Sequence, residues 1–267
     1  MLKVSGKTAL VVGASSGVGK ACAKYLSSIG YRVYGTSRKA VLGTITDGIT
    51  MIPLDVTKED TIQEAINYIY DNEGALHILI NCPGYGLAGS VEDISTEEAK
   101  ALFDTNFFGI MSCCRKVLPI MRKQKEGLIV NISSVAGFIS IPYQSMYSAS
   151  KYALEAMTEA LRIEVKPFNI RVSMIAPGDM KTNFERIYAK NSNTSVYKDR
   201  CTKAVNAMIA SEEKGPSPEI VIKELKKILK RKNPAIRRVV GWQYKAIAFL
   251  KRILPSRFIE YVISKIY

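Results

Sequence analysis

The sequence predicts an α/β fold: a doubly wound parallel sheet in one domain, residues 1–267. Three observations carry this. Short apolar runs alternate with amphipathic helical stretches, the pattern of strands covered on both faces by helices. A glycine-rich turn follows the first run directly and opens the first helical stretch. The composition, 47% apolar and 23% charged over 267 residues, suits a globular chain with a large core.

The elements follow in order. Thr8–Val12 reads as a strand, and a helix runs from the glycine turn to Ser28. Residues 32–36 and 49–54 read as the second and third strands. Thr57 with Asp60 resembles a capping pair that opens a helix to Asn72. Residues 76–81 form a fourth strand. Ser95-Thr-Glu-Glu98 is a capping box, and the helical stretch it starts runs to Gln124, with a break expected where Asn106 stands, a poor helix former. Residues 128–132 form a fifth strand, 144–166 a long helix closed by Pro167, and Ile170–Ala176 a sixth strand. Ser217-Pro218-Glu219 starts a further helix, and residues 236–240 read as a seventh strand. Residues 183–217 have weak pattern and read as a mobile substrate lid, and 219–267 as a basic C-terminal extension.

Composition excludes several chemistries. Five cysteines (Cys22, Cys82, Cys113, Cys114, Cys201) show neither a C-x-x-C pair nor metal-ligand spacing, so they are expected as reduced thiols. One histidine, His77, removes histidine metal sites and Ser-His-Asp catalysis; no metal is expected. No apolar run reaches the roughly 20 residues of a membrane-spanning helix. Met1–Ala14 loosely imitates a signal peptide, but its apolar run ends in the glycine turn that cofactor binding needs. A cytoplasmic protein is therefore expected. The net charge of +14 is concentrated at the end: residues 219–267 hold 13 Lys/Arg against 3 Asp/Glu. Such a surface favours anionic partners. No recognition motif for nucleic acid accompanies it, and none is expected as a partner.

The glycine turn is a phosphate cradle. Gly13, Ser15, Ser16, Gly17, Val18 and Gly19 combine a sharp turn with a helix N-terminus, whose free N–H groups and partial positive charge suit a pyrophosphate. At the end of the second strand, where an acid would grip the ribose 2′-hydroxyl of NAD, the chain has Ser37 and Arg38. A guanidinium there suits a 2′-phosphate, so NADP(H) is the expected cofactor. Asp55 and Val56, after the third strand, then fall near the adenine.

Tyr147 and Lys151 are four residues apart and share a helix face. A nearby ammonium lowers a phenol's pKa toward neutrality, which makes Tyr147 a candidate general acid/base. Ser134, at the end of the fifth strand, is placed to hydrogen-bond a reacting oxygen.

These residues together resemble the short-chain dehydrogenase/reductase family, nearest in character to its hydroxysteroid- and retinol-type members. The resemblance is close over residues 3–182. The turn at Gly13 is similar to the family's T-G-x-x-x-G-x-G, with Val12 in place of threonine, and Asn81-Cys82-Pro83-Gly84 is similar to its N-N-A-G. Ser134, Tyr147 and Lys151 match its triad, and Asn106 its fourth member, which in the family holds a water against the lysine. Pro177, Gly178 and Thr182 match the segment that contacts the nicotinamide carboxamide. The resemblance implies a Rossmann-type fold, with Asn81 and Gly84 beside the cofactor. It implies hydride exchange at a ketone or secondary alcohol, with Lys151 holding the ribose. Candidate substrate-pocket residues are Leu87, Ile139, Ile141, Tyr143, Met180 and Phe184. They suit a bulky apolar carbonyl or alcohol, of steroid, bile acid or lipid type. A 3-oxoacyl thioester or a sphingoid ketone is the alternative, and a silent NADP(H)-binding scaffold the non-enzyme reading. A homodimer or homotetramer is expected. The basic, aromatic tail from Trp242 suits either packing on a subunit or contact with an anionic membrane.

Overall fold

The computed structural model describes residues 6–266. The first five residues of the signal-like stretch, including the start of the family resemblance at Lys3, and the final Tyr267 lie outside the described residues. Ten strands and nine α-helices follow in chain order: β1 (Thr8–Val12), α1 (Gly17–Ser28), β2 (Arg32–Ser37), β3 (Ile45–Thr46), β4 (Ile49–Pro53), α2 (Glu59–Glu73), β5 (Ile78–Asn81), β6 (Gly86–Ala88), α3 (Thr96–Phe103), α4 (Gly109–Gln124), β7 (Gly127–Ile132), α5 (Ser145–Glu164), β8 (Ile170–Ala176), β9 (Arg186–Tyr188), α6 (Lys198–Lys214), α7 (Ile220–Lys230), β10 (Arg237–Val239), α8 (Trp242–Ile253) and α9 (Ser256–Ile266).

Eight strands form one sheet in the order β10-β8-β7-β5-β1-β2-β4-β3, all parallel except the short edge strand β3. Strand parity sorts the core into two layers. Leu10, Val12, Leu79 and Ile129 point to the face covered by Ile62, Ile66, Val117 and Leu154. Ala9, Val11, Ile80 and Val130 point to the other, covered by Cys22, Leu26, Val221 and Leu225. The chain leaves β1 in one direction along the sheet and returns to its other side at β5, which opens a crevice between their carboxyl ends. Ligands of such sheets bind at this switch point.

Where local chemistry was strong, the predicted elements are present. The capping box is intact: Glu98 N–H donates to Ser95 Oγ (3.1 Å), and Ser95 N–H donates to Glu98 Oε2 (2.9 Å). The break at Asn106 is a five-residue π-helical segment, Asp104–Phe108, between α3 and α4. The Thr57–Asp60 cap does not form. Thr57 instead donates from both N (3.0 Å) and Oγ1 (2.7 Å) to Asp55 Oδ1, a tight aspartate turn, and α2 starts after Lys58. Residues 183–217 are not a patternless loop. They contain β9, which pairs in parallel with β6, and the 17-residue α6, which buries Cys201, Ala204, Val205 and Met208. Within residues 219–267, α7 and β10 belong to the fold itself, and α8 packs on it through Tyr244 and Ala248. All five cysteines are free. Among the described residues no helix is long and apolar enough to cross a membrane.

Candidate active site

A cleft of about 800 Å³ crosses the carboxyl ends of the central strands and contains most of the predicted residues. One end is the glycine cradle. Gly13 sits at φ +78°, and a Cβ on Gly19 would lie 2.0 Å from the Gly13 carbonyl oxygen, so no other residue permits this turn to close against α1. Ser16, the N-cap of α1, makes no side-chain cap, and the first turn holds no acid. The leading N–H groups therefore face the cleft without an internal acceptor, which is the donor set an anion requires. Ser15, Gly17, Val18, Ser37, Arg38, Asp55 and Val56 line the same end. The Arg38 guanidinium stands at the rim, 73% exposed, with a loose 3.9 Å contact to Glu185.

Farther along, α5 delivers Tyr147 and Lys151. A buried chain of amides sets its height over the sheet: Asn81 Nδ2 donates to Asn131 Oδ1 (2.9 Å), and Asn131 Nδ2 donates to Thr158 Oγ1 (2.9 Å), joining β5, β7 and α5. The Ser134 hydroxyl and the Tyr147 phenol line the same part of the cleft, with Ser134 near enough to pull the phenol's proton affinity down. Tyr147 and Lys151 are almost fully buried, at 8% and 4% exposure. Lys151 Nζ donates to the Ile132 carbonyl (3.2 Å) and lies 5.8 Å from the Tyr147 ring centroid. Burial dominates both titrations. It pushes the phenol up to about 12, against the Ser134 hydroxyl and the Arg186 charge that pull it down. It pushes Lys151 down to about 8. The expected loosening of the phenol by its ammonium neighbour does not figure among these influences, and burial outweighs the rest because desolvation penalises each charged form. Tyr147 rests as a neutral phenol, the form that donates a proton.

Asn106 lies on the π-helical segment, fully buried. Its side chain is fully engaged: Oδ1 accepts from Tyr85 N–H (3.1 Å), while Nδ2 donates to Tyr85 O (3.0 Å) and Ser150 Oγ (3.3 Å). It holds the β5–β6 connection, including Gly84, against α5. Pro177, Gly178, Met180, Thr182 and Phe184 line the cleft, as does Ile141.

Besides Asn106, four predicted residues stand outside the cleft lining. Asn81 carries no exposed surface, and its side chain lies inside the sheet layer in the amide chain above. Leu87 is fully buried between β6 and its neighbours, packed with Leu102 and Ala136. Tyr143, at φ +58°, turns its ring onto Ala88, Cys201 and Val205. Ile139 packs with Val135, Phe138 and Val239.

Among the cleft residues that escape the sequence reading, three polar ones stand out. Tyr244 of α8 covers the nicotinamide segment: its hydroxyl donates to Asp179 Oδ2 (2.8 Å) and accepts from Asp179 N–H (3.1 Å), and a Cβ on Gly178 would strike its ring at 2.0 Å. Arg186 of β9 and Glu212 of α6 form an ion pair inside the cleft (2.6 Å), their side chains 8% and 22% exposed. The phase of Cys201, Ala204, Val205 and Met208 along α6 carries on to Glu212 and is the signal that finds it.

The match to known proteins agrees with this geometry. The family model described as short chain dehydrogenase matches residues 7–193. The chain is 38% identical to 3-ketodihydrosphingosine reductase of Bacteroides thetaiotaomicron, over 97% of each chain. It superposes on a short-chain dehydrogenase from Streptomyces avermitilis with a TM-score of 0.83 at 29% identity, covering 95% of this chain and 94% of the other. Against ElxO with NADP bound, the TM-score is 0.73 at 25% identity, covering 90% and 99%.

Proposed function

The chain belongs to the short-chain dehydrogenase family, and from that premise we propose that it is an NADPH-dependent reductase of a long-chain, sphingoid-type ketone. The carrying observation is that Ser134, Tyr147 and Lys151 line the same cleft as the glycine cradle. When bound, NADPH supplies a hydride to the carbonyl carbon. Tyr147 donates its phenolic proton to the carbonyl oxygen, Ser134 holds that oxygen, and solvent restores the proton, so ketone, hydride and proton become a secondary alcohol. Lys151 sits beside the phenolate as it forms and offsets its charge. Gly13 to Gly19 hold the pyrophosphate, and Arg38 the 2′-phosphate. The β9–α6 segment acts as the lid.

The relative named as a ketodihydrosphingosine reductase supports the lipid ketone over a steroid or bile acid. So does a cleft that mixes Ile141, Met180 and Phe184 with the charged Arg186 and Glu212. Wild-type protein mixed with NADPH and a long-chain ketone should consume the cofactor. Arg38→Asp should weaken NADPH binding by about 10- to 100-fold, the worth of a charge-assisted hydrogen bond, and leave NADH nearly unaffected. An unchanged NADPH/NADH preference would sink the cofactor assignment.

The tail extends the reading to a membrane surface. Trp242 (80% exposed), Phe249 (63%), Ile253 (60%) and Phe258 (50%) face solvent on α8 and α9, beside Arg252 and Arg257. Aromatic and aliphatic side chains flanked by cations suit an anionic bilayer, where a lipid ketone would reside. Trp242, the sole tryptophan, reports directly. Its emission should shift to the blue with phosphatidylglycerol vesicles at low salt, less at high salt, and not with phosphatidylcholine. No shift at low salt ends this reading. The reduced thiols and the absence of a spanning helix among the described residues support a cytoplasmic, peripheral enzyme, and a homodimer or homotetramer is its proposed assembly.

A further inference from the structure

We infer that Arg186 and Glu212 form a head-group site that selects ketones bearing an adjacent amino alcohol, with the ammonium on Glu212 and the hydroxyl on Arg186. The inference rests on the reading of the cleft as a ketone-reducing site. The pair lies within one aromatic ring of the chemistry: the Arg186 guanidinium is 5.6 Å from the Phe184 ring, and that ring is 5.6 Å from the Tyr147 ring. Its hydrogen bonds are asymmetric, with Nη2 to Glu212 Oε1 at 2.6 Å and Nη1 to Oε2 at 3.4 Å. Arg186 Nε is buried and has no partner among the described residues.

Ligand classes fare differently against this arrangement. A wholly apolar substrate closing over the pair strips its remaining water and returns no hydrogen bond, which costs binding energy. A carboxylate or phosphate gains Arg186 but meets the Glu212 carboxylate as a like charge. A lone ammonium gains Glu212 and leaves the Arg186 N–H unmet. A hydroxyl beside an ammonium answers both, because the hydroxyl oxygen accepts from Arg186 and the ammonium donates to Glu212. Carried on the carbons next to the carbonyl, these groups stay within a ring's width of Tyr147.

The pair also ties β9 to α6, so the test must separate recognition from support. Three long-chain ketones of equal length would be compared by NADPH oxidation: one with a free amino alcohol next to the carbonyl, its N-acetyl derivative, and the plain ketone. Wild type should favour the free amine over the N-acetyl compound by about 10- to 100-fold in kcat/KM, the worth of a hydrogen bond to a charged group. Glu212→Gln should bring that ratio close to one, a change a merely structural pair would not produce. The double variant Arg186→Met with Glu212→Leu should do the same without leaving a buried charge unpaired, and NADPH titration of each variant confirms that it is folded. Equal rates on the free and N-acetyl amines in wild type, or a ratio kept in both variants, overturn the head-group site alone. No reduction of any of the three overturns the reductase reading, and this inference with it.

Discussion

Tyr147→Phe should cut kcat for ketone reduction by about 10²- to 10⁴-fold while NADPH affinity stays close to wild type. The substitution removes one oxygen. The ring remains packed edge-on against Phe184 at 5.6 Å, so the lid and cleft keep their shape. What disappears is the proton source. Hydride delivery without it would leave an alkoxide in a buried cleft, with only the Ser134 hydroxyl to stabilise it. Single-turnover NADPH oxidation measures the loss, and fluorescence titration measures cofactor binding. Equal turnover in wild type and variant would refute the mechanism and favour a silent NADP(H)-binding scaffold.

Tyr147 was legible from sequence because its evidence is local and redundant. The tyrosine–lysine spacing sets a helix face, the glycine turn follows a strand and opens a helix, and Ser134 ends a strand. Short-range geometry decides each, and together they name one end of one sheet. The parallel, two-layered sheet followed from the same alternation of apolar runs and helices. The errors arise where a side chain's direction depends on a distant partner. Leu87 is the middle residue of a three-residue strand whose faces are set by pairing with β9, a strand the sequence does not announce. Tyr143 takes φ +58° directly after Pro142, and that turn carries its ring away from the cleft, a direction the proline alone does not fix. Asn81 follows the parity of β5 into the sheet layer, where its Nδ2 donates to Asn131 Oδ1. Arg186 and Glu212 are 26 residues apart, and Asp179 and Tyr244 are 65 apart. Their meetings are products of the closed fold. Thr57 lost its cap because Asp55, two residues upstream, was the nearer acceptor.

Lys151→Met should slow reduction by about 100-fold and yet stabilise the protein at pH 7. The two effects have one cause. Burial moves the ammonium from an ordinary 10.5 to about 8, which corresponds to about 3 kcal/mol against folding with the group charged. The sign follows from proton binding. Between the folded value near 8 and the unfolded value near 10.5, the unfolded chain holds the extra proton, so stability rises with pH across that window. Below pH 8 both states are protonated and the penalty is complete; above 10.5 both are neutral and it is gone. Methionine fills a similar volume without charge but forfeits the hydrogen bond to Ile132 O, so the net gain at pH 7 is about 1–3 kcal/mol. Melting curves should show the variant a few degrees more stable at pH 7, with the gap closing as pH approaches 10.5. Activity runs the other way. Reduction by wild type needs Lys151 charged to offset the forming phenolate, so kcat/KM should be flat below about pH 8 and fall above it, and the variant should lack that break. A variant no more stable than wild type at pH 7, or a wild-type profile flat through pH 9, would show that this lysine does not carry a suppressed proton affinity in the folded enzyme.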